Sequence, residues 1–421
     1  MRGEIHLLGA PSLIPTKWMR KMSNWIQARD TRFRGCLAAV ALTALSSLAG
    51  CGNNAPATPP PAVGAGGADP FAALSTRLDQ HRGVPTFTAP GPAFDAQAAA
   101  KGKKIAVIPA SSSIPFVQTI AEGMQAAGSK IGLGVTVLQN QGQTSQWAQA
   151  LGNAVSQSVS SVDLLAGIDP ALVGPQINQA QAAKVGTVVS HLYGVGQNHA
   201  QGLAGTVDAP YGTAGELLAD YAIDKSRGKL NMLVVTINQV LSTTPMVDGI
   251  KKEVTQYCPS TCKLSYTNAA IANLATEVPA NVRGAIQRDP SINYIVALYD
   301  SAEVPYVLSG IQSASATGKV KIVTFNGTPS ILKLVADGQV AMDVGEDLSW
   351  ISLAILDQHL RLLAGLPAVP NENLPLRIWD KSNVAEAGSP PKNSVGYGTS
   401  FVDGYQKLWK LPAGVGLGGL S

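Results

Sequence analysis

The sequence predicts an α/β fold of two lobes, each a parallel sheet flanked by helices, facing one another across a cleft. Three observations predict it. From residue 103 onward short apolar runs alternate with helical segments, the pattern of strands buried on both faces by crossover helices. The alternation begins afresh near residue 208, so the unit occurs twice. The 421 residues, 45% hydrophobic and 14% charged, exceed what one domain commonly holds and exclude disorder for most of the chain.

The elements follow in order. Lys104-Ile105-Ala106-Val107-Ile108 reads as a buried strand, then a helix over 117–131, a strand at 135–138 and a helix over 147–159. A strand at 164–168, a helix over 173–183 and a strand at 187–190 complete the first unit. The second opens with a helix over 212–225 and a strand at 231–237, then a helix over 245–257 and a strand at 263–266. A helix over 276–288, a strand at 294–298, a helix over 304–314 and a strand at 321–325 end the alternation.

The N-terminal hundred residues are of another kind. Residues 1–50 hold seven of the 31 Lys and Arg and two of the 27 Asp and Glu, leaving 24 positive against 25 negative groups. The formal charge of +4 therefore sits in the leader, and the near-neutral remainder offers nucleic acid no basic surface. The basic region, the short apolar run 37–48 and Leu48-Ala49-Gly50-Cys51 have the order of an export signal and resemble a bacterial lipoprotein lipobox. The apolar run is shorter than the ~20 residues of a spanning helix. Residues 1–50 are accordingly expected to be a lipoprotein signal peptide, begun at Met1 or Met22, with Cys51 as the lipidated residue. Residues 51–102, rich in Pro, Ala and Gly, are expected to be a tether with one short helix near 71–78. Cys258 and Cys262 are then the only pair left, expected to form a disulfide in an oxidising compartment.

In open parallel sheets a ligand sits at the carboxyl ends of the strands. Those ends carry Ser113, Ile114 and Phe116, then Asp169, then His191, Leu192 and Tyr193, with Asp208 near the lobe boundary. In the second unit they carry Asn238, Thr244, Tyr299, Asp300, Asn326 and finally Glu346. Aromatic faces among fixed acceptors suit a small polar organic ligand.

These segments carry a family resemblance. Lys104-Ile105-Ala106-Val107-Ile108 with Pro115-Phe116, Ile168-Asp169-Pro170, Leu298-Tyr299-Asp300 and Phe325-Asn326-Gly327-Thr328-Pro329 resemble the type I periplasmic solute-binding proteins of the ribose and galactose branch, over about residues 103–366. The resemblance implies Rossmann-like lobes, a hinge that crosses three times, and closure on a solute delivered to an ABC importer. It implies that Phe116 stacks on the ligand and that Asp169 is a polar contact. The pattern departs where the family has an Asp-Arg pair, here Leu192-Tyr193, and where it has Arg, here Thr244. Tyr299 and Ile114 replace Asn, Asn326 replaces Asp, and Glu346 stands in place of an amide. A bidentate Arg holds vicinal hydroxyls as neither Thr nor Tyr does, so the cleft is expected to be richer in apolar and ring surface.

Other roles compete for several of these residues. Asp169 before Pro170 is equally a helix cap, as is Asp300. His191 reads first as a satisfied structural histidine, Trp147 and Trp350 as core, and Tyr397, Tyr405 and Trp409 as packing for a C-terminal extension. Gly414-Val415-Gly416-Leu417-Gly418-Gly419 has dinucleotide-loop spacing but no helix after it and reads as a tail. No metalloprotease, nucleophile-elbow or phosphate-loop motif and no clustered Cys and His is present, so no enzyme, metal or cofactor is expected.

The expected organisation is a first lobe of 103–207 plus about 327–346, a second of 208–326 plus about 347–410, and a tail over 411–421. The expected function is a monomeric, lipid-anchored extracytoplasmic receptor that delivers a small sugar, polyol or related solute to an ABC permease. A sensory receptor for a chemoreceptor or kinase, and a receptor for an aromatic or cationic metabolite, stand as alternatives.

Overall fold

The computed structural model describes residues 69–418. The expected signal peptide and lipidated Cys51 lie outside them. A first sheet holds β1 (Lys104–Pro109), β2 (Gly134–Val137), β3 (Ser161–Leu165), β4 (Gly186–Gly194) and β5 (Gly205–Ala209), in the order β2-β1-β3-β4-β5 with every pair parallel. A second holds β6 (Asn231–Thr236), β7 (Lys263–Asn268), β8 (Tyr294–Ala297), β9 (Lys321–Asn326), β10 (Met342–Gly345) and β11 (Arg377–Asp380), in the order β11-β10-β9-β8-β6-β7. Only β11 runs antiparallel to its neighbour. The central strands β3, β6 and β8 are buried along their whole length, as strands covered on both faces must be, and the edge strands β2 and β7 are not.

The helices are α1 (Ala72–Gln80), α2 (Ala96–Ala100), α3 (Pro115–Ile131), α4 (Thr144–Ser156), α5 (Gly174–Ala182) and α6 (Tyr211–Ser226). They continue with α7 (Thr243–Tyr257), α8 (Leu274–Arg288), α9 (Asp300–Ser313), α10 (Pro329–Ala336), α11 (Leu348–Leu363) and α12 (Ser400–Leu408). Pro115 at the first position of α3 supplies a preset φ, and Gly132, at φ 81°, closes its other end with a bond to the Gly128 carbonyl. The expected disulfide is present: Cys258 is bonded to Cys262 just after α7.

Two assignments of chain to lobe are reversed relative to the expectation. Residues 327–346 belong to the second lobe, because β10 pairs with β9 through Val344 and Phe325. Residues 348–363 belong to the first. Ser352 Oγ on α11 donates to the Ile120 carbonyl of α3 at 2.9 Å, and Gln358 Nε2 donates to the Thr206 carbonyl of β5 at 3.0 Å. The chain thus crosses between lobes at Pro210, at Glu346-Asp347 and over 364–376. A buried polar network fixes the exchange. His359 of α11 bonds Ser161 Oγ through Nδ1 at 2.7 Å and Asp163 through Nε2 at 3.2 Å, both on β3. The same polar residues made the strand read three residues too late, at 164–168.

Residues 69–102 are a folded part of the body, which corrects the tether assignment for that stretch. Leu74 and Leu78 of α1 are buried against the second lobe, and α2 packs on α3 and α11 of the first. Between them, Phe87 lies 5.0 Å from the Tyr405 ring and 5.8 Å from Trp350. The Phe94 amide donates to the Leu408 carbonyl at 2.9 Å, and the Ile378 amide donates to the His81 carbonyl at 2.7 Å. The short helix expected near 71–78 is α1, but the surrounding Pro and Gly hid that Leu74, Leu78, Phe87 and Phe94 pack into the body. The C-terminal extension packs as expected: Trp350 stacks on Phe401 at 4.9 Å, and Trp409 Nε1 donates to Asp357 at 2.6 Å. The tail too is partly seated, with Leu417 fully buried.

Candidate functional site

The carboxyl ends of both sheets meet at a small cavity of about 40 Å³ between the lobes. The first lobe contributes Ala110 after β1, Ile114, Phe116 and Val117 at the start of α3, Ala166 after β3, and His191 in β4. The second contributes Ile237, Val240 and Ser242 between β6 and α7, Ile271 before α8, Tyr299, Ser301 and Ala302 around the start of α9, and Asn326 at the end of β9. No Asp, Glu, Lys or Arg is among these wall residues. The lobes also touch directly, the Phe116 amide donating to Ser301 Oγ at 3.2 Å.

Three of the wall residues hold a left-handed backbone without being glycine: Ala166 at φ 58°, His191 at φ 54° and Asn326 at φ 136°. Such strain costs of order 1–3 kcal/mol per residue and persists only where the surroundings impose it. At His191 the pairing of β4 with β5 shifts register between Ser190 and Gly194. That irregularity turns the His191 ring toward the cleft, while Leu192 goes into the apolar core.

His191 is the centre of the polar network. Its Nε2 lies 2.7 Å from Glu346 Oε2, and its Nδ1 lies 2.8 Å from the Tyr211 hydroxyl. With Nε2–H donating to the carboxylate, Nδ1 accepts the Tyr211 hydroxyl proton in a hydrogen bond. Burial first, and then the charge of Glu346, raises Tyr211 well above the ordinary phenol range, which keeps that proton in place. Asn326 Nδ2 donates to the same Glu346 oxygen at 3.4 Å, and the other, Oε1, is buried without a partner. Glu346 and Tyr211 flank two of the three crossings, so the network joins the cleft floor to the hinge. Phe116 lies 4.9 Å from the His191 ring.

On the opposite wall the Tyr299 hydroxyl shares hydrogen bonds with Ser242 at 2.8 Å and Thr243 at 2.9 Å, and burial raises its pKa. Of the residues the sequence nominated, Ile114, Phe116, Tyr299 and Asn326 line the cavity, and Glu346 stands behind His191 and Asn326.

The others lie elsewhere. Asp169 accepts from the Ala171 amide at 2.9 Å and is a cap. Asp300 accepts from the Thr328 amide at 2.6 Å and hydroxyl at 2.7 Å, so its carboxylate holds the turn after β9, and burial raises it to about 6. The Tyr193 hydroxyl accepts from the Ala200 amide at 3.3 Å. Asp208 pairs with His199 at 2.9 Å in a separate shallow pocket, raised by burial against that partner. Thr244 opens into another surface pocket beside Tyr266, and Ser113 is exposed and bonded to Ser111. Leu192 is core. Ala110, Ala166, Ile237 and Val240 were missed because small and apolar residues at strand ends carry no polar mark. The residue that directly follows each buried strand was the available signal for Ala110, Ala166 and Ile237. His191, read as structural, is both buried in a network and part of the wall.

Residues 105–366 match the model of the periplasmic binding protein domain. The chain belongs to that family. As a periplasmic binding protein it is an extracytoplasmic protein of a substrate-binding family, with the two-lobed type I fold. Its structure is similar to an ABC transporter solute-binding protein from Agrobacterium vitis with bound allitol: 18% identity, TM-score 0.61, 68% of this chain and 98% of that one. It is similar to a carbohydrate transporter from Acidothermus cellulolyticus in complex with myo-inositol: 19% identity, TM-score 0.57, 68% and 97%. An ABC sugar transporter subunit from Rhodobacter sphaeroides gives 16% identity, TM-score 0.59, 67% and 99%. At these identities the likeness is one of fold. No curated protein matches the chain. The α1 to α2 segment of this periplasmic binding protein precedes the matched residues, and β11 and α12 follow them.

Proposed function

We propose that the chain is a lipid-anchored receptor that closes its two lobes on a small sugar, polyol or related neutral solute and presents it, unaltered, to an ABC permease. The observation that carries the reading is the cavity at the carboxyl ends of both sheets, walled by both lobes and connected through His191, Glu346 and Tyr211 to two hinge crossings. The cavity of about 40 Å³ is smaller than such a solute, so the lobes part to admit it; a solute seated there still touches both lobes at once, which favours a closed form over the open one. Family membership and the sugars and polyols named with the similar structures support the solute class. Leu48-Ala49-Gly50-Cys51 supports the anchor.

Phe116 offers its ring face to the solute, and Asn326 its amide. Phe116→Ala removes ring contact and Asn326→Ala a hydrogen-bonding group, so each is expected to weaken binding of a sugar or polyol found by thermal-shift screening by about tenfold or more, measured by calorimetry. Unchanged affinity in both variants would place the solute elsewhere. For the anchor, Cys51→Ser is expected to move the protein from the membrane fraction to the soluble fraction; retention on membranes would refute lipidation at that residue.

A further inference from the structure

We infer that the solute is a neutral ring compound with an apolar face and few hydroxyls, such as a deoxy sugar or a cyclic diol, rather than a fully hydroxylated hexose or inositol. The inference rests on the receptor reading and sharpens it. Nine of the fourteen wall residues are apolar, among them Ile114, Phe116, Val117, Ile237, Val240 and Ile271. The five polar ones are His191, Ser242, Tyr299, Ser301 and Asn326, and they are largely committed to one another or to the wall behind. Both His191 nitrogens are engaged, by Glu346 and Tyr211. Ser242 and the Tyr299 hydroxyl bond each other, and Thr243 takes a further position on that hydroxyl. Ser301 Oγ accepts from the Phe116 amide, and Asn326 spends one amide hydrogen on Glu346. The Ser301 hydroxyl in turn bonds the Asp300 carboxylate, so what remains for a solute is most of the Asn326 amide and the outer lone pairs of Ser242 and Tyr299.

A hydroxyl that leaves water must find a partner in the closed cleft or cost affinity. A hexose brings five hydroxyls and a ring oxygen, more than these groups can serve, whereas replacing a hydroxyl by hydrogen turns an unserved polar group into one that fits Ile114, Val240 or Ile271. Charge on the solute finds no partner in the wall itself. Among the described residues no charged side chain lines it, and the carboxylate behind it, Glu346, bonds His191 and Asn326 through Oε2. An anion would be desolvated with no counter-ion, and a cation with none in direct contact.

Matched pairs test this on the full-length protein by titration calorimetry: D-fucose against D-galactose, L-rhamnose against L-mannose, and cyclohexanediol against myo-inositol. The less hydroxylated member is expected to bind at least about tenfold more tightly in the pair that fits, about 1.4 kcal/mol. Ile114→Asn, which adds an amide to the wall, is expected to cut that preference to about threefold or less. Equal or tighter binding of the hydroxylated members overturns the inference and leaves the receptor reading standing. Binding by no member of any pair overturns both. A preference unmoved by Ile114→Asn overturns the assignment of that preference to the wall.

Discussion

Replacing Arg77 by alanine is expected to destabilise the folded chain by about 3–5 kcal/mol at mildly alkaline pH, the loss typical of a buried charge stripped of its partner. Arg77 lies on α1, ahead of the family-matched residues, and reaches into the second lobe. Its guanidinium holds Asp220 of α6 through two bonds of 2.5 Å, donates to Glu253 of α7, and lies 3.6 Å from Glu216. The Asp220 and Glu253 side chains are fully buried. Lys252, 3.8 Å from Glu253 and largely exposed, is a weak substitute.

The loss has a pH signature. Burial outweighs the pull of Arg77 and raises Asp220 to about 7, so without the guanidinium a proton is the remaining way to neutralise it. Denaturant unfolding of the variant at about pH 8 and about pH 5.5 should show the deficit shrinking at the lower pH. A deficit below about 1 kcal/mol at the higher pH would mean the two carboxylates are served some other way. Adding Asp220→Asn and Glu253→Gln to Arg77→Ala should recover part of the loss, since the amides need no counter-ion.

The second large effect concerns Asp347, which follows the hinge crossing and caps α11. Its Oδ1 accepts from the Ser349 amide at 2.8 Å, the Trp350 amide at 3.0 Å and the Ser394 hydroxyl at 2.7 Å, and its Oδ2 is buried without a partner. Burial outweighs those three donors and raises the carboxyl from 3.8 to about 6. Between those values the folded chain keeps a proton that the unfolded chain releases, so the contribution to stability grows as pH falls from about 6 toward 4 and is lost as pH rises through about 6. Two pH units of difference are worth about 3 kcal/mol at the limit and about 2 kcal/mol between pH ~7.5 and ~4.5.

Asp300, raised to about 6, and Asp220 work in the same direction, so the native protein is expected to be more resistant to denaturant at mildly acid pH than at neutral pH. Asp347→Asn keeps an acceptor for the two amides and removes the titration. Its stability should change by about 2 kcal/mol less than the native protein's over that interval. An identical pH dependence in the two proteins would show that Asp347 titrates alike folded and unfolded.

These effects were not visible in the sequence, and the reason is the same for both. Arg77 and Asp220 are 143 residues apart, and Ser394 stands 47 residues from Asp347. Eight of the eleven strands, by contrast, were legible, most within a residue or three, while β4 runs four residues past its expected end and β5, β10 and β11 were not read. Ile105 to Ile108 and Met232 to Val235 are apolar on both faces because a parallel strand between helix layers has no wet side. The failure at β3 shows the limit of that rule. Ser161 and Asp163 read as the loop before a strand, yet they are buried strand residues whose hydrogen bonds are completed by His359, nearly two hundred residues on.

The candidate site divides in the same way. Phe116, Ile114, Tyr299 and Asn326 were found because strand ends are where an open sheet binds, and that position follows from chain order. Which neighbours of each strand end face the cleft depended on backbone angle. A left-handed turn at Ala166, His191 and Asn326 sends those residues to the wall, and the carboxylates of Asp169 and Asp300 are drawn away by nearby amides.

Two α/β units in tandem were readable along the chain because periodicity is a local property, and the Cys258–Cys262 disulfide because it was the one pair left for an oxidising compartment. Only folding in three dimensions settled that 327–346 joins the second lobe and α11 the first, that residues 69–102 fold across both, and that the expected strand-end carboxylates stay off the cavity wall. Those outcomes turn on which buried polar groups satisfy one another, and their partners lie far apart along the chain.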